Sequence, residues 1–270
     1  MSRLRLNHLD FNIECSGHPS LPPLLLLHGF SGSLRTWDEL VPELSRFARV
    51  IAIDLIGHGD SAAPEDVRRY SLDWAVRDLE ALIDALELES TDVLGYSMGA
   101  RVALYFAVHA RGRVRRLMLE SATPGLEDAG ERAARRASDA ALAGRIERDG
   151  MAMFVAEWEA LPLLKLSDAV SHEVLAKLHA HRLRNSPRGL ANSLRGMGTG
   201  SQPPLWSHLP RLEAPVSLIV GARDERYCEI ARRMQRLLPD SRLCEIAAAG
   251  HTVHVDRPLA VLEAVRQAHS

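Results

Sequence analysis

The stretch Val93-Leu94-Gly95-Tyr96-Ser97-Met98-Gly99-Ala100-Arg101 decides how this chain is read. It carries G-x-S-x-G at positions 95–99. Residues 91–94 read as a short buried strand, and residues 98–109 as a helix with apolar side chains at Val102, Leu104, Phe106 and Val108. A strand that turns sharply into a helix around such a serine is a nucleophile elbow, which lifts the hydroxyl above the end of a sheet. Its glycines have a steric role: a side chain at 95 or 99 would collide with the adjoining strand and helix. The new helix also points unpaired backbone N–H groups at the space above Ser97.

Outward from this turn, strand and helix signals alternate. Residues 4–13 read as an edge strand closed by Gly17-His18-Pro19. Residues 24–27 are an unbroken leucine run, as expected of a strand covered on both faces. A short helix is predicted over 37–44 and a buried strand over 49–54. An amphipathic helix follows over 71–88, with Trp74, Leu79, Leu82, Ile83 and Leu86 as its inner stripe. The strand after the elbow helix spans 114–120. This rhythm predicts an α/β fold: a mostly parallel sheet with helices on both faces.

From 126 to 204 the rhythm stops. No strand is predicted there, and the composition reads as several short helices broken at Gly144, Gly150, Pro162 and Pro187. Strand signals return over 216–220 and 243–247, with helices over 229–238 and 258–268. The expected organisation is a core built from residues 1–125 and 205–270, interrupted by a helical cap insertion over 126–204.

Hydrophobic content of 46% and charged content of 25% describe an ordinary globular chain. A net charge of −2 gives no global attraction to nucleic acid or membrane, so anion binding must come from local clusters. The basic N-terminal residues are not followed by an apolar run, so no signal peptide is expected. Cys15, Cys228 and Cys244 have neither paired nor metal-ligand spacing. They are expected to be reduced, mostly buried thiols in a cytoplasmic protein.

A serine hydroxyl needs an imidazole to take its proton and a carboxylate to hold that imidazole in the right tautomer. Asp224 falls just past the strand over 216–220, and His251 just past the strand over 243–247. Strand ends of a parallel sheet converge on one rim, so both can reach Ser97. Glu120, at the end of another strand, is the rival acid, and His254 the rival base. Asp224 and His251 are preferred. The oxyanion hole needs two backbone N–H groups, and Met98 and Phe30 are the candidates. His28, in the same loop as Phe30, reads as a packing and hydrogen-bonding residue. Arg101, one helical turn after Ser97, is placed by spacing alone to meet an anionic substrate. Arg132, Arg135 and Arg136 read on their own as a solvated helix face, and Trp158 reads equally well as cap core.

Together, Leu27-His28-Gly29-Phe30, Asp54-Leu55-Ile56-Gly57-His58-Gly59-Asp60-Ser61, the elbow, Gly221-Ala222-Arg223-Asp224 and Ala249-Gly250-His251 resemble the α/β-hydrolase superfamily. A narrower resemblance is to the 2-succinyl-6-hydroxy-2,4-cyclohexadiene-1-carboxylate synthases of menaquinone (vitamin K2) biosynthesis. It rests on His28-Gly29-Phe30-Ser31-Gly32-Ser33 with Arg35-Thr36-Trp37, on the elbow through Arg101, and on Glu120-Ser121-Ala122-Thr123-Pro124-Gly125-Leu126. The cap adds Arg182, Asn185-Ser186-Pro187-Arg188-Gly189-Leu190-Ala191 and Leu194-Arg195-Gly196-Met197-Gly198-Thr199-Gly200. Departures from the family pattern are Ala100, Ile56, Arg226-Tyr227 and Asp256, none of them in the triad.

The resemblance implies an α/β-hydrolase fold and a lyase that eliminates pyruvate from 2-succinyl-5-enolpyruvyl-6-hydroxy-3-cyclohexene-1-carboxylate, with no cofactor and no metal. It adds Tyr96, Arg135, Trp158 and Arg182 to Arg101 as substrate contacts. The alternative is a serine hydrolase, a carboxylesterase or lactonase, of a small anionic ester. The expected partner is a small polycarboxylate, with no nucleic acid or membrane. The chain is expected to be a monomer or weak homo-oligomer.

Overall fold

The computed structural model describes residues 2–269. Strands β1 (Ser2–Leu6) and β2 (Leu9–Ser16) form an antiparallel hairpin. The stretch predicted as one edge strand is therefore two. Asn7 and His8 take φ of 46° and 69° and reverse the chain, the two-residue turn that matches strand twist. The remaining strands are β3 (Pro23–Leu27), β4 (Arg49–Ile53), β5 (Thr91–Tyr96), β6 (Val114–Glu120), β7 (Val216–Gly221) and β8 (Ser241–Ile246). Among the described residues they form an eight-stranded sheet in the order β1-β2-β4-β3-β5-β6-β7-β8. β2 joins β4 antiparallel, and every pairing from β4 across to β8 is parallel.

Side chains alternate across a strand, so each leucine of β3 serves one of two cores. Leu25 and Leu27 pack on one face with α2 (Leu72–Ala85), α3 (Met98–His109) and α7 (Glu225–Leu237). Leu24 and Leu26 pack on the other with α1 (Val41–Leu44) and α9 (Pro258–His269). All four are buried, and each contributes roughly 1.5–3 kcal/mol by leaving water.

Three other expectations are corrected in the core. The helix predicted over 37–44 is broken into a 3-10 turn, Leu34–Trp37, and α1, whose first turn contains Pro42. Proline has no N–H to continue a helix but fits the start of one. Trp74 is not on the inner stripe of α2. It is half-buried, and the guanidinium groups of Arg69 and Arg77 lie 4.4 and 4.7 Å from its ring. The thiols are not mostly buried: Cys228 is, Cys244 is half-buried, and Cys15 is exposed on β2 beyond the last described β1 pairing, Ser2 with Ile13.

Between β6 and β7 the chain is helical: α4 (Ala129–Glu159), α5 (His172–Leu183) and α6 (Pro187–Met197). Gly144 does not break α4 as expected. Gly150 does, with φ of 77°, and Pro187 begins α6. A separate core of Ala143, Ile146, Phe154, Val155, Leu190, Ala191 and Leu194 holds α4 against α6. The cap meets the sheet domain closely where a Cβ at Gly189 would lie 2.2 Å from the Gly57 carbonyl oxygen. Among the described residues no helix is long and apolar enough to cross a membrane.

Candidate active site

Ser97 stands between β5 and α3 with φ 49° and ψ −106°, a conformation that costs about 1–3 kcal/mol and survives only where neighbours impose it. They do. Ser97 N–H donates to the Glu120 carbonyl at 2.8 Å, and the helix passes so close to β3 that a Cβ on Gly99 would meet the Leu27 carbonyl oxygen at 2.1 Å. The hydroxyl therefore projects from the rim of the sheet.

Two further loops reach it. Beyond β7 and β8 the backbone pairing continues, with Ala222 N–H on the Ile246 carbonyl and Arg223 N–H on the Ala249 carbonyl, both at 2.9 Å. This carries Asp224 alongside His251. His251 Nδ1 lies 2.7 Å from Asp224 Oδ2, and its Nε2 lies 3.0 Å from Ser97 Oγ. Ser121 Oγ donates to the His251 carbonyl at 2.7 Å and fixes the backbone behind the ring. Asp224 also caps α7, accepting from Tyr227 N–H at 3.3 Å, which is why that helix begins at Glu225 and not at the expected position 229. The preferred Ser97, Asp224 and His251 are thus brought together.

The two rivals pair with each other. Glu120 Oε1 accepts from His254 N–H at 3.1 Å and lies 2.8 Å from His254 Nδ1, with both side chains buried. His254 is boxed by the rings of Trp37 and Tyr96, with centroids 5.0 and 4.7 Å away.

The Phe30 loop is set from below. Buried His28 accepts Leu55 N–H on Nε2 at 3.0 Å and donates from Nδ1 to the Gly29 carbonyl at 2.8 Å, the pattern of a neutral imidazole. Burial lowers its pKa, and burial with the neighbouring His28 pushes His58 down to about 3. His28 is a structural residue here, as expected.

Two cavities meet at Ser97. The larger, about 560 Å³, is lined by Phe30, Ser97, Met98, Arg101, Arg135, Trp158 and His251. The smaller, about 60 Å³, is lined by Phe30, Tyr96, Ser97, Trp158 and Arg182. Both oxyanion-hole candidates line the larger one. The expected arginines are divided: Arg101 and Arg135 on one side of Ser97, Arg182 on the other. Arg101 is buried, with Nη1 donating to the Met197 carbonyl at 2.8 Å and to Gln202 Oε1 at 3.1 Å. Burial lowers its pKa to about 10, so it stays charged at neutral pH. Arg135 pairs with Asp139 at 2.8 Å, and Arg182 with Glu159 at 2.7 Å. The Tyr96 hydroxyl is held by Thr252 Oγ1 at 2.8 Å. Trp158 stands edge-on to Phe30, with centroids 5.2 Å apart, between the two cavities.

Two residues that the sequence marked only within the resemblance, Tyr227 and Asn185, reach the site. Tyr227 lines the larger cavity and packs edge-on to His251 with centroids 4.5 Å apart. With the helix expected from 229, nothing in the sequence marked Tyr227 as lying in the first turn after Asp224; the cap made by Asp224 starts that helix at Glu225. Asn185, in the cap, accepts Gly59 N–H at 2.8 Å and donates to the Ser31 carbonyl at 2.9 Å, touching the loop that carries Phe30. Among the described residues no group of three or more His, Cys, Asp or Glu is placed to hold a metal ion.

The model of the alpha/beta hydrolase fold family matches residues 22–258. The chain belongs to this family. Within it, the chain is 35% identical over 259 residues to 2-succinyl-6-hydroxy-2,4-cyclohexadiene-1-carboxylate synthase of Klebsiella pneumoniae (strain 342), covering 93% of this chain and 95% of that one. It is 45% identical over 238 residues, 87% of this chain and 85% of the other, to a Bacillus subtilis protein provisionally named as the same synthase. The structure of MenH from S. aureus superposes with a TM-score of 0.89 at 31% identity, covering 96% of this chain and 99% of that chain. The similarity runs through core and cap alike, so the chain is a member of this synthase branch of the α/β-hydrolase family.

Proposed function

We propose that this protein is the menaquinone-pathway lyase that converts 2-succinyl-5-enolpyruvyl-6-hydroxy-3-cyclohexene-1-carboxylate to 2-succinyl-6-hydroxy-2,4-cyclohexadiene-1-carboxylate and pyruvate. The observation that carries the reading is a triad opening on two arginine-bearing cavities, in a chain whose relatives bear that enzyme's name. Ser97 Oγ, relayed to His251 Nε2, removes a proton from a ring carbon. The C–H electron pair becomes part of the new ring unsaturation, and the C–O bond to the enolpyruvyl group breaks. Enolpyruvate takes up a proton and leaves as pyruvate. Asp224 holds the imidazole in the tautomer that can accept the proton and stabilises the imidazolium. The N–H groups of Phe30 and Met98 stabilise the negative charge that develops on the substrate oxygen.

Arg101, Arg135 and Arg182 supply the cations for a substrate with several carboxylates, since a planar guanidinium pairs two oxygens at once. Their division between two cavities suits a ligand whose carboxylates lie at opposite ends. Tyr96 contributes through its ring and Trp158 through its face, and the helical insertion over 126–204 acts as the lid. The chain works on this small polycarboxylate without nucleic acid or membrane, as a monomer or weak homo-oligomer. The three free cysteines, Cys15 exposed among them, fit a reducing cytoplasm.

The test is a pyruvate-coupled assay on the authentic substrate. Wild type releases pyruvate, and Ser97→Ala, His251→Ala and Asp224→Asn each lower kcat by about 10²- to 10⁴-fold, the contribution of a positioned base. Wild-type protein that releases no pyruvate ends this reading. A second reading, hydrolysis of a small anionic ester, is favoured by the 3.0 Å Ser97–His251 contact, which equally activates a nucleophile. Trapping an acyl-Ser97 from a short ester at a rate above that of pyruvate release would decide for it.

A further inference from the structure

Asp256 takes no part in the triad, yet it is buried and both of its carboxylate oxygens are engaged by backbone. It sits on the last turn of the short helix α8 (Val253–Asp256). Oδ2 accepts the N–H of Gly250 at 2.7 Å, and Gly250 is the residue immediately before His251. Oδ1 accepts the N–H of Ser167 at 2.8 Å. Ser167 lies in the cap, in the link between the 3-10 turn Pro162–Leu164 and α5. That turn contributes Leu164 to the walls of both cavities, and α5 carries Arg182.

One side chain thus joins two segments 83 residues apart, the loop that presents the catalytic imidazole and the link that hangs the cap over it. Hydrogen bonds from N–H to a carboxylate are among the shorter and stronger ones, and both observed distances lie in that range. A group held through its immediate backbone neighbour loses reach at its functional atom when that hold is released, and a shift of about 1 Å at a catalytic group can cost 10²-fold in rate.

We propose that Asp256 is a positioning residue that ties the seating of the cap to the placement of His251. Its Gly250 arm sets the imidazole against Ser97. Its Ser167 arm brings the cap link, and with it Leu164 and Arg182, to the same geometry. The second half of this statement rests on the proposed lyase reading. The first half does not, because the reactivity of Ser97 can be measured without the substrate.

The experiment therefore reads two quantities in intact protein: the rate at which a fluorophosphonate labels Ser97, and kcat and KM for pyruvate release. Asp256→Asn keeps the size of the side chain but turns an amide NH₂ toward one of the two N–H donors. It is expected to slow labelling and kcat together by tenfold or more. Ser167→Pro deletes the cap donor, beyond the hydroxyl contact to Ala169 N–H that Ser167→Ala removes by itself and so controls for. It is expected to leave labelling within twofold of wild type and to raise KM at least fivefold. Asp256→Asn that labels at the wild-type rate overturns the proposal. So does Ser167→Pro with unchanged KM, and that variant decides alone if Asp256→Asn does not fold. Slow labelling of Asp256→Asn in a protein whose wild type releases no pyruvate would uphold the Gly250 arm while ending the lyase reading.

Discussion

Arg101 shows how one side chain joins fold to chemistry. Its place on the first turn of α3 follows from the elbow, and its buried guanidinium lines the larger cavity while donating, among the described residues, to the Met197 carbonyl and the Gln202 amide oxygen. A buried charge on neutral hydrogen-bond partners suits the proposed anionic substrate, whereas Arg135 and Arg182 must share theirs with Asp139 and Glu159. Removing one charge-assisted contact costs roughly 1.5–3 kcal/mol, so Arg101→Ala should lower kcat/KM for pyruvate release by about 10- to 150-fold. An unchanged kcat/KM would show that this arginine does not meet substrate. At this scale spacing alone pointed to Arg101, but it could not tell that Tyr96 commits its hydroxyl to Thr252, 156 residues away. Nor could it show that Glu120 and His254, weighed as rivals to the triad, pair with each other through Glu120 Oε1.

At the scale of elements, the turn between β5 and α3 tolerates no added atom. Gly99→Ala places a methyl against the Leu27 carbonyl, so α3 must withdraw from β3 and carry Met98 N–H with it. A destabilisation of about 1–3 kcal/mol in denaturant unfolding, with a matching loss of kcat, is the expected result, and wild-type stability would contradict the packing described. This turn, the leucine run of β3 and the strand over 114–120 were legible because each is dictated by local pattern: buried parallel strands are apolar throughout, and the elbow has few sequence solutions. Elements set by a distant or unusual partner were not. The β1–β2 turn uses Asn7-His8 where a glycine would have announced it. The start of α7 depends on Asp224 acting as its cap. Trp74 looks like core until Arg69 and Arg77 are seen to cover it from outside.

For the whole molecule, the cap is tied beside the two loops that complete the site: Asn185 donates to the Ser31 carbonyl of the Phe30 loop, and Ser167 donates to Asp256, which also holds Gly250. Beneath one of those loops lie two buried neutral histidines, and they make stability depend on pH. His58 has a folded-state pKa of about 3, below its unfolded value of about 6.5, so between the two the unfolded chain binds the extra proton. Its contribution is complete above pH 6.5 and is lost as pH falls toward 3, by up to about 1.4 kcal/mol per pH unit. Tm should therefore drop from pH 7 to pH 4, and His58→Leu, which cannot titrate, should show a shallower slope. An equal slope would place the acid sensitivity elsewhere. The proposed lyase reaction requires Ser97 to act as a base toward carbon and not as a nucleophile. The most direct measurement is the intact mass of enzyme quenched during steady-state turnover of the authentic substrate, with pyruvate counted in the same samples. An unmodified chain while pyruvate accumulates is the expected result; a fraction of chains carrying a substrate-derived acyl group on Ser97 would contradict that role.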